Sequence, residues 1–100
     1  MARSINIDKT ELVVTFLAGK RYKVLNLSYE DIQRIQFDPI EIRKLFKKIP
    51  AEKISIFSSK TQDPIVITKT KDDAKVWDEY KKKLPDFAER HHVTFTDNTA

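Results

Sequence analysis

The sequence predicts an α+β domain that is mainly β. About six or seven short antiparallel strands roll into a partly open barrel, and one C-terminal helix caps an opening. Three observations lead there. From Ile5 to Thr68 apolar residues alternate with polar ones in short runs broken by turn residues. From Lys71 to Leu84 the spacing changes to threes and fours, the period of a helix with one apolar face. The single tryptophan, Trp77, stands on that helical stripe.

The chain has 100 residues, 40% of them hydrophobic and 34% charged, which fits one folded domain over residues 1–100 and argues against disorder. Cysteine is absent, so disulfides and thiolate chemistry are excluded, and a cytoplasmic location is expected. The start, MARSINID, lacks the apolar run of a signal peptide. No segment approaches the roughly 20 apolar residues of a membrane span. The formal net charge of +4 permits an anionic partner without requiring one.

Ile5 and Ile7 belong to a short first strand, and Asp8-Lys9-Thr10 to a turn. Glu11–Leu17 is rich in β-branched and aromatic residues, with Leu12, Val14 and Phe16 on one face. Ala18-Gly19-Lys20 contains the one glycine and should be the tightest turn. Arg21–Leu27 returns. Tyr22 and Val24 share a face, Leu25 and Leu27 take the other, and the change of phase suggests a bulge or the end of pairing. After a polar turn at Ser28–Asp31, Ile32–Phe37 is a short strand.

Asp38–Ile49 reads two ways. Asp38 as N-cap, Pro39 at the first helical position and Glu41 three residues on make a helix start, and Ile42, Leu45, Phe46 and Ile49 have helical spacing. Ile40 and Ile42 also alternate with charges, as in a strand from Ile40 to Phe46. The cap signals slightly favour the helix. Lys53–Phe57 and Pro64–Thr68 then form a hairpin.

The C-terminal helix is expected over about 71–84. Thr70 serves as N-cap, and Asp72 and Asp73 meet the positive end of the helix dipole. Ala74, Trp77, Tyr80 and Leu84 form the buried stripe, Lys81–Lys83 occupy the last turn, and Pro85 ends the helix. Trp77 is a structural core anchor. In the extension 85–100, Asp86–Arg90 adds a turn carrying Phe87, and His92–Thr96 packs or pairs at an edge.

Leu27–Phe37 (LSYEDIQRIQF) resembles a strand-turn-strand element of small bacterial pleckstrin homology-like domains. Lys53–Thr68 (KISIFSSKTQDPIVIT) looks like their last hairpin. Lys71–Leu84 (KDDAKVWDEYKKKL) is similar to their terminal helix, with Trp77 in the place of its tryptophan. The resemblance spans Ile5–Leu84 and rests on the order of these segments. It implies a non-catalytic module with a groove or open sheet edge. Lys9, Arg21 and Lys23 resemble the spacing of the lipid-binding signature of such domains and are the candidate contacts for an anionic headgroup.

Catalytic constellations are missing. No serine sits in a G-x-S-x-G context, and the two histidines, His91 and His92, are adjacent with no further His or Cys to complete a metal set. Both are expected to face solvent. Catalytic, cofactor and metal sites are therefore expected to be absent. Arg43, Lys44, Lys47 and Lys48 around Phe46 are a weak nucleic-acid signal. The bland expectation is an amphipathic segment whose apolar residues face the core. The functional expectation is a protein-interaction or self-association module with an unidentified partner or its own copy. A membrane-surface binder of anionic phospholipid headgroups is the alternative, and a weak nucleic-acid binder the second alternative.

Overall fold

Alternation in the first 28 residues builds an antiparallel meander: β1 (Ala2–Ile7), β2 (Glu11–Ala18) and β3 (Arg21–Ser28). The structure is a computed structural model and describes residues 2–69 and 74–99. Gly19 lies in the β2–β3 turn at φ 64°, where an L side chain would be strained. β2 and β3 pair without interruption from Glu11–Ser28 to Ala18–Arg21. The bulge expected in Arg21–Leu27 is therefore absent: Tyr22 and Val24 simply point outward while Leu27 is buried inward with Leu12 and Val14. Irregular pairing occurs instead in β1, between Ala2 and Ser4.

Tyr29–Asp31 forms one 3-10 turn, capped by Ser28, whose Oγ accepts from the Glu30 N–H at 3.4 Å. The second sheet follows: β4 (Ile32–Lys44), β5 (Lys47–Ser58), β6 (Ile65–Thr68) and β7 (Thr94–Asp97), in spatial order β6-β5-β4-β7. The segment Asp38–Ile49 is thus strand, turn and strand, which overturns the preference for a helix. Ile40 pairs with Ala51 and Ile42 with Ile49 across the hairpin, so the alternation outweighed the cap signals. Asp38, instead of capping a helix, accepts from the side chains of Gln36 and Asn98.

The fold is mainly β with one C-terminal helix, in two sheets rather than a closed barrel. The seventh strand is parallel to β4, not antiparallel. The helix α1 (Ala74–Arg90) connects β6 to β7. A helix crossing a sheet returns the chain to the end it left, so β7 enters in the direction of β6, which is also that of β4.

Thr70, Asp72 and Asp73, the expected cap and first turn, lie outside the described residues. At its other end α1 runs through Pro85 to Arg90, six residues past the expected stop. An interior proline costs about 3 kcal/mol. Burial of Phe87 and Ala88 beyond it offsets a cost of that size. Lys81–Lys83 therefore sit within the helix, not in its last turn. The actual end is a C-terminal turn in which the His92 N–H bonds Glu89 O, the Val93 N–H bonds Ala88 O at 2.8 Å, and His92 takes φ 56°.

The buried stripe of α1 (Trp77, Tyr80, Leu84, Phe87) packs on one core with Leu12, Leu27, Ile35, Phe37, Ile54 and Ile56. The Ile5 N–H, at the outer edge of β1, donates to the Tyr80 hydroxyl at 3.0 Å across 75 residues of sequence. The helix thus covers both sheets and satisfies a donor on an edge. Trp77 is 2% exposed, and its Nε1 has no acceptor among the described residues. Trp77→Ala should cost about 3–5 kcal/mol, a large part of the stability of a domain this small. Trp77→Phe should cost much less, since no described acceptor holds the indole N–H. Chemical denaturation measures both, and equal losses would contradict this packing account.

Candidate functional site

β4 and β5 are longer than the strands beside them. β7 pairs with β4 only as far as Phe37–Asp97, and β6 pairs with β5 only from Ile56–Ile65 to Lys53–Thr68. The last bonds on the two sides come within two rungs of each other: the Asn98 N–H donates to Phe37 O and the Lys69 N–H to Glu52 O, both at 2.9 Å. From there six cross-strand pairs, from Pro39–Glu52 to Lys44–Lys47, continue as a two-stranded arm about 20 Å long. Pro39 and Pro50 lie in this arm. A proline nitrogen cannot extend a sheet, and it is tolerated where a strand has no outer neighbour.

The two-residue turn at the end of the arm is Leu45-Phe46. Both side chains are fully exposed, at 99% and 104%. The expectation that they face the core is overturned: the register places them past the last pair, where nothing described in the fold reaches them. Two-residue hairpin turns favour Gly, Asn or Asp at the first central position because it needs positive φ. Leucine occupies it here, at φ 55°, a conformation that costs a β-carbon residue about 1–2 kcal/mol.

Just below the turn, Arg43 pairs directly with Lys48 and Lys44 with Lys47. Like charges directly opposite each other destabilise a sheet. Strand alternation places Arg43 and Lys48 on one face and Lys44 and Lys47 on the other. The apolar tip is therefore collared by cations on both sides. Of the 19 Lys and Arg in the chain, these four suffice to account for the net charge, because the other fifteen are balanced by the 15 Asp and Glu.

Acids gather at the base of the arm instead. Asp38 accepts from Asn98 at 2.7 Å and from Gln36. These bonds, with Lys53 and Arg34 nearby, hold its carboxyl below the usual value. Glu52 is met by Lys81 at 2.6 Å and Lys69 at 3.8 Å. Burial pushes the Glu52 carboxyl up, but Lys81, Thr99 and Lys69 together outweigh it and hold the group low. Lys81 also donates to Thr99 Oγ1, tying the helix, the base of the arm and the residues after β7 together.

The headgroup candidates do not converge. Lys9 is in the β1–β2 turn, whereas Arg21 and Lys23 begin β3 at the other end of the meander, about 24 Å away along β2. The Lys9 carbonyl is in contact with His91 Nε2. His91 is not solvent-facing as expected: it is half-buried, stacked on Tyr29 at 4.4 Å and edge-on to Phe87 at 4.8 Å. His92 is exposed. Among the described residues no group of three His, Cys, Asp or Glu could hold a metal ion, and no helix is long and apolar enough to cross a membrane.

One further exposed surface lies at β3, which has a strand neighbour on one side alone and shows Tyr22 at 66% and Val24 at 62% exposure. A shallow groove elsewhere is lined by Phe16, the loop before β6 and the first residues of β6, and contains one charged side chain, Asp63. No family model, curated protein or solved structure matches the chain.

The tip residues were present in the sequence as a weak basic-aromatic signal. What identifies them as a site is their position, and the sequence signal for that position is the near-symmetry of Pro39 and Pro50 about an acid-free RKLFKK. The acids at the base lead to a pH prediction. Asp38 and Glu52 bind protons more weakly in the folded chain than in the unfolded one. The stability they add is complete above their ordinary values of 3.8 and 4.5 and is lost as pH falls through the lower native values. Thermal midpoints should therefore be flat near neutrality and drop below about pH 4.5, with a shallower drop in Glu52→Gln. An identical acid slope in Glu52→Gln would contradict the assignment.

Proposed function

We propose that this chain is a non-catalytic interaction module whose contact element is the β4–β5 arm. The observation that carries the reading is the fully exposed Leu45-Phe46 turn inside a collar of four cations. Two features of that tip lower the stability of the isolated fold, a leucine at positive φ and two directly opposed like-charge pairs, and its two bulky apolar side chains gain nothing from folding. A hairpin built for folding alone would close on glycine or asparagine and alternate its charges. Such costs gather at sites shaped by what they bind. The target has to be anionic and has to offer apolar cover. The succession of antiparallel strands before a covering helix supports the pleckstrin homology-like kinship as part of this proposal, though the arm stands independently of it.

A second surface favours self-association as an additional property. β3 presents an open edge with Tyr22 and Val24 exposed, and an antiparallel copy centred on Val24 would set Arg21 and Lys23 opposite Leu27 and Leu25, with no like charges directly opposite.

The arm reading is tested without knowing the target. In Leu45→Gly/Phe46→Asn, a turn pair suited to positive φ at its first position, amide exchange in the arm should slow by about fivefold, equivalent to roughly 1 kcal/mol. The global denaturation midpoint should not fall. If the variant loosens the arm or lowers global stability, the tip is part of the fold's own packing and the reading fails.

A further inference from the structure

The distribution of charge along the arm narrows the target, and this step rests on the arm being the contact element. We infer that the tip inserts into the surface of an anionic lipid bilayer, with Leu45 and Phe46 entering the acyl boundary and Arg43, Lys44, Lys47 and Lys48 resting among the headgroups.

The geometry is that of an end-on approach to a flat surface. The apolar residues form the extreme of the arm, and the cations occupy the next two rungs, within about 7 Å of the turn. That spacing matches the roughly 5–10 Å to which interfacial apolar groups sink. Cations on both faces of the ribbon reach headgroups on every side of the insertion point. Lys44 and Lys47 continue the face that bears Ile42 and Ile49, so their stems extend the apolar surface while their ammonium groups stay at the interface.

Further from the tip carboxylates enter the strands. Glu41 is exposed one rung past Ile42, and Asp38 and Glu52 stand at the base. A nucleic-acid groove would run along the shaft and bring these acids against phosphates. A bilayer met end-on leaves them in water. The rest of the chain carries balanced charge, so attraction to the leaflet is concentrated at the tip and orients the molecule as it approaches.

The test uses the whole chain with phosphatidylcholine vesicles with and without phosphatidylserine. Co-sedimentation should require phosphatidylserine and fall at high salt. Each cation near such a surface is worth about fivefold in partitioning, so Lys44→Glu/Lys47→Glu should lose at least about 25-fold. Leu45→Ser/Phe46→Ser should lose tenfold or more while its thermal midpoint and the emission of buried Trp77 stay unchanged. In Phe46→Trp the new indole should shift to the blue on binding and be quenched by lipids brominated on their acyl chains.

Binding that is indifferent to phosphatidylserine, or to Leu45→Ser/Phe46→Ser, overturns the inference. So does the absence of acyl-chain quenching. Tighter binding to mixed-sequence duplex DNA or to single-stranded RNA than to vesicles also overturns it, and would reassign the tip to nucleic acid. None of these outcomes touches the arm reading itself, which stands or falls on the exchange experiment with the Leu45→Gly/Phe46→Asn turn.

Discussion

β6 and β7 leave the central hairpin within two rungs of each other, and the rest of the structure depends on that boundary. Below it β4 and β5 are interior strands of a four-stranded sheet whose inner face, with Ile35, Phe37, Ile54 and Ile56, is buried under α1. Above it the same two strands have no outer neighbours, and a two-stranded ribbon encloses no core. The boundary is held by polar contacts from three parts of the chain. Asn98 bonds Asp38, Lys69 and Lys81 meet Glu52, and the main chain at Asn98 and Lys69 closes each edge. These contacts close the body and free the arm together.

The helix holds that boundary in place. Its apolar stripe spans both sheets, and its Tyr80 satisfies the outward N–H of Ile5 on the first. Lys81, one residue further, turns toward the base of the arm and pairs with Glu52. At the far end Phe87 and His91 pack around Tyr29, where the meander hands over to the second sheet. One face of one helix therefore fixes the relation of the meander to the sheet and, through Glu52, the root of the arm. The partly exposed ion pair contributes modestly by itself. Its role is positional, since the apolar burial beside it already orders both partners.

The parts of this fold legible in the sequence were those with a local signature. The period-two run of β2, the glycine of the turn after it and the period-three-and-four stripe through Trp77, Tyr80 and Leu84 became the elements their spacing implies, and β3 formed where expected but without the bulge its change of phase suggested. What misled was local signal without knowledge of the neighbours. Asp38-Pro39 reads as a helix start until Asn98 arrives from sixty residues away to bond the same carboxylate. Pro85 reads as a helix end unless Phe87 and Ala88 are known to be buried. Leu45 and Phe46 read as core residues in any window, because no window shows that β6 and β7 stop short of them. Long-range pairing decided each of these, and only the strand alternation of Ile40 and Ile42 hinted at it.

The separation of core and arm also decides what the tip can tolerate. A bulky residue at positive φ, or two opposed pairs of cations, would threaten a marginally stable domain if coupled to its core. At the end of a ribbon the same costs act on local opening, leaving the cooperative unit under α1 intact. That decoupling lets a small fold present a surface poorly suited to water. The acids at the base complete the arrangement. Asp38 and Glu52 are held ionised among cations, Asp38 near Lys53 and Arg34 and Glu52 between Lys81 and Lys69, so charge is compensated at the base of the arm and uncompensated at its tip.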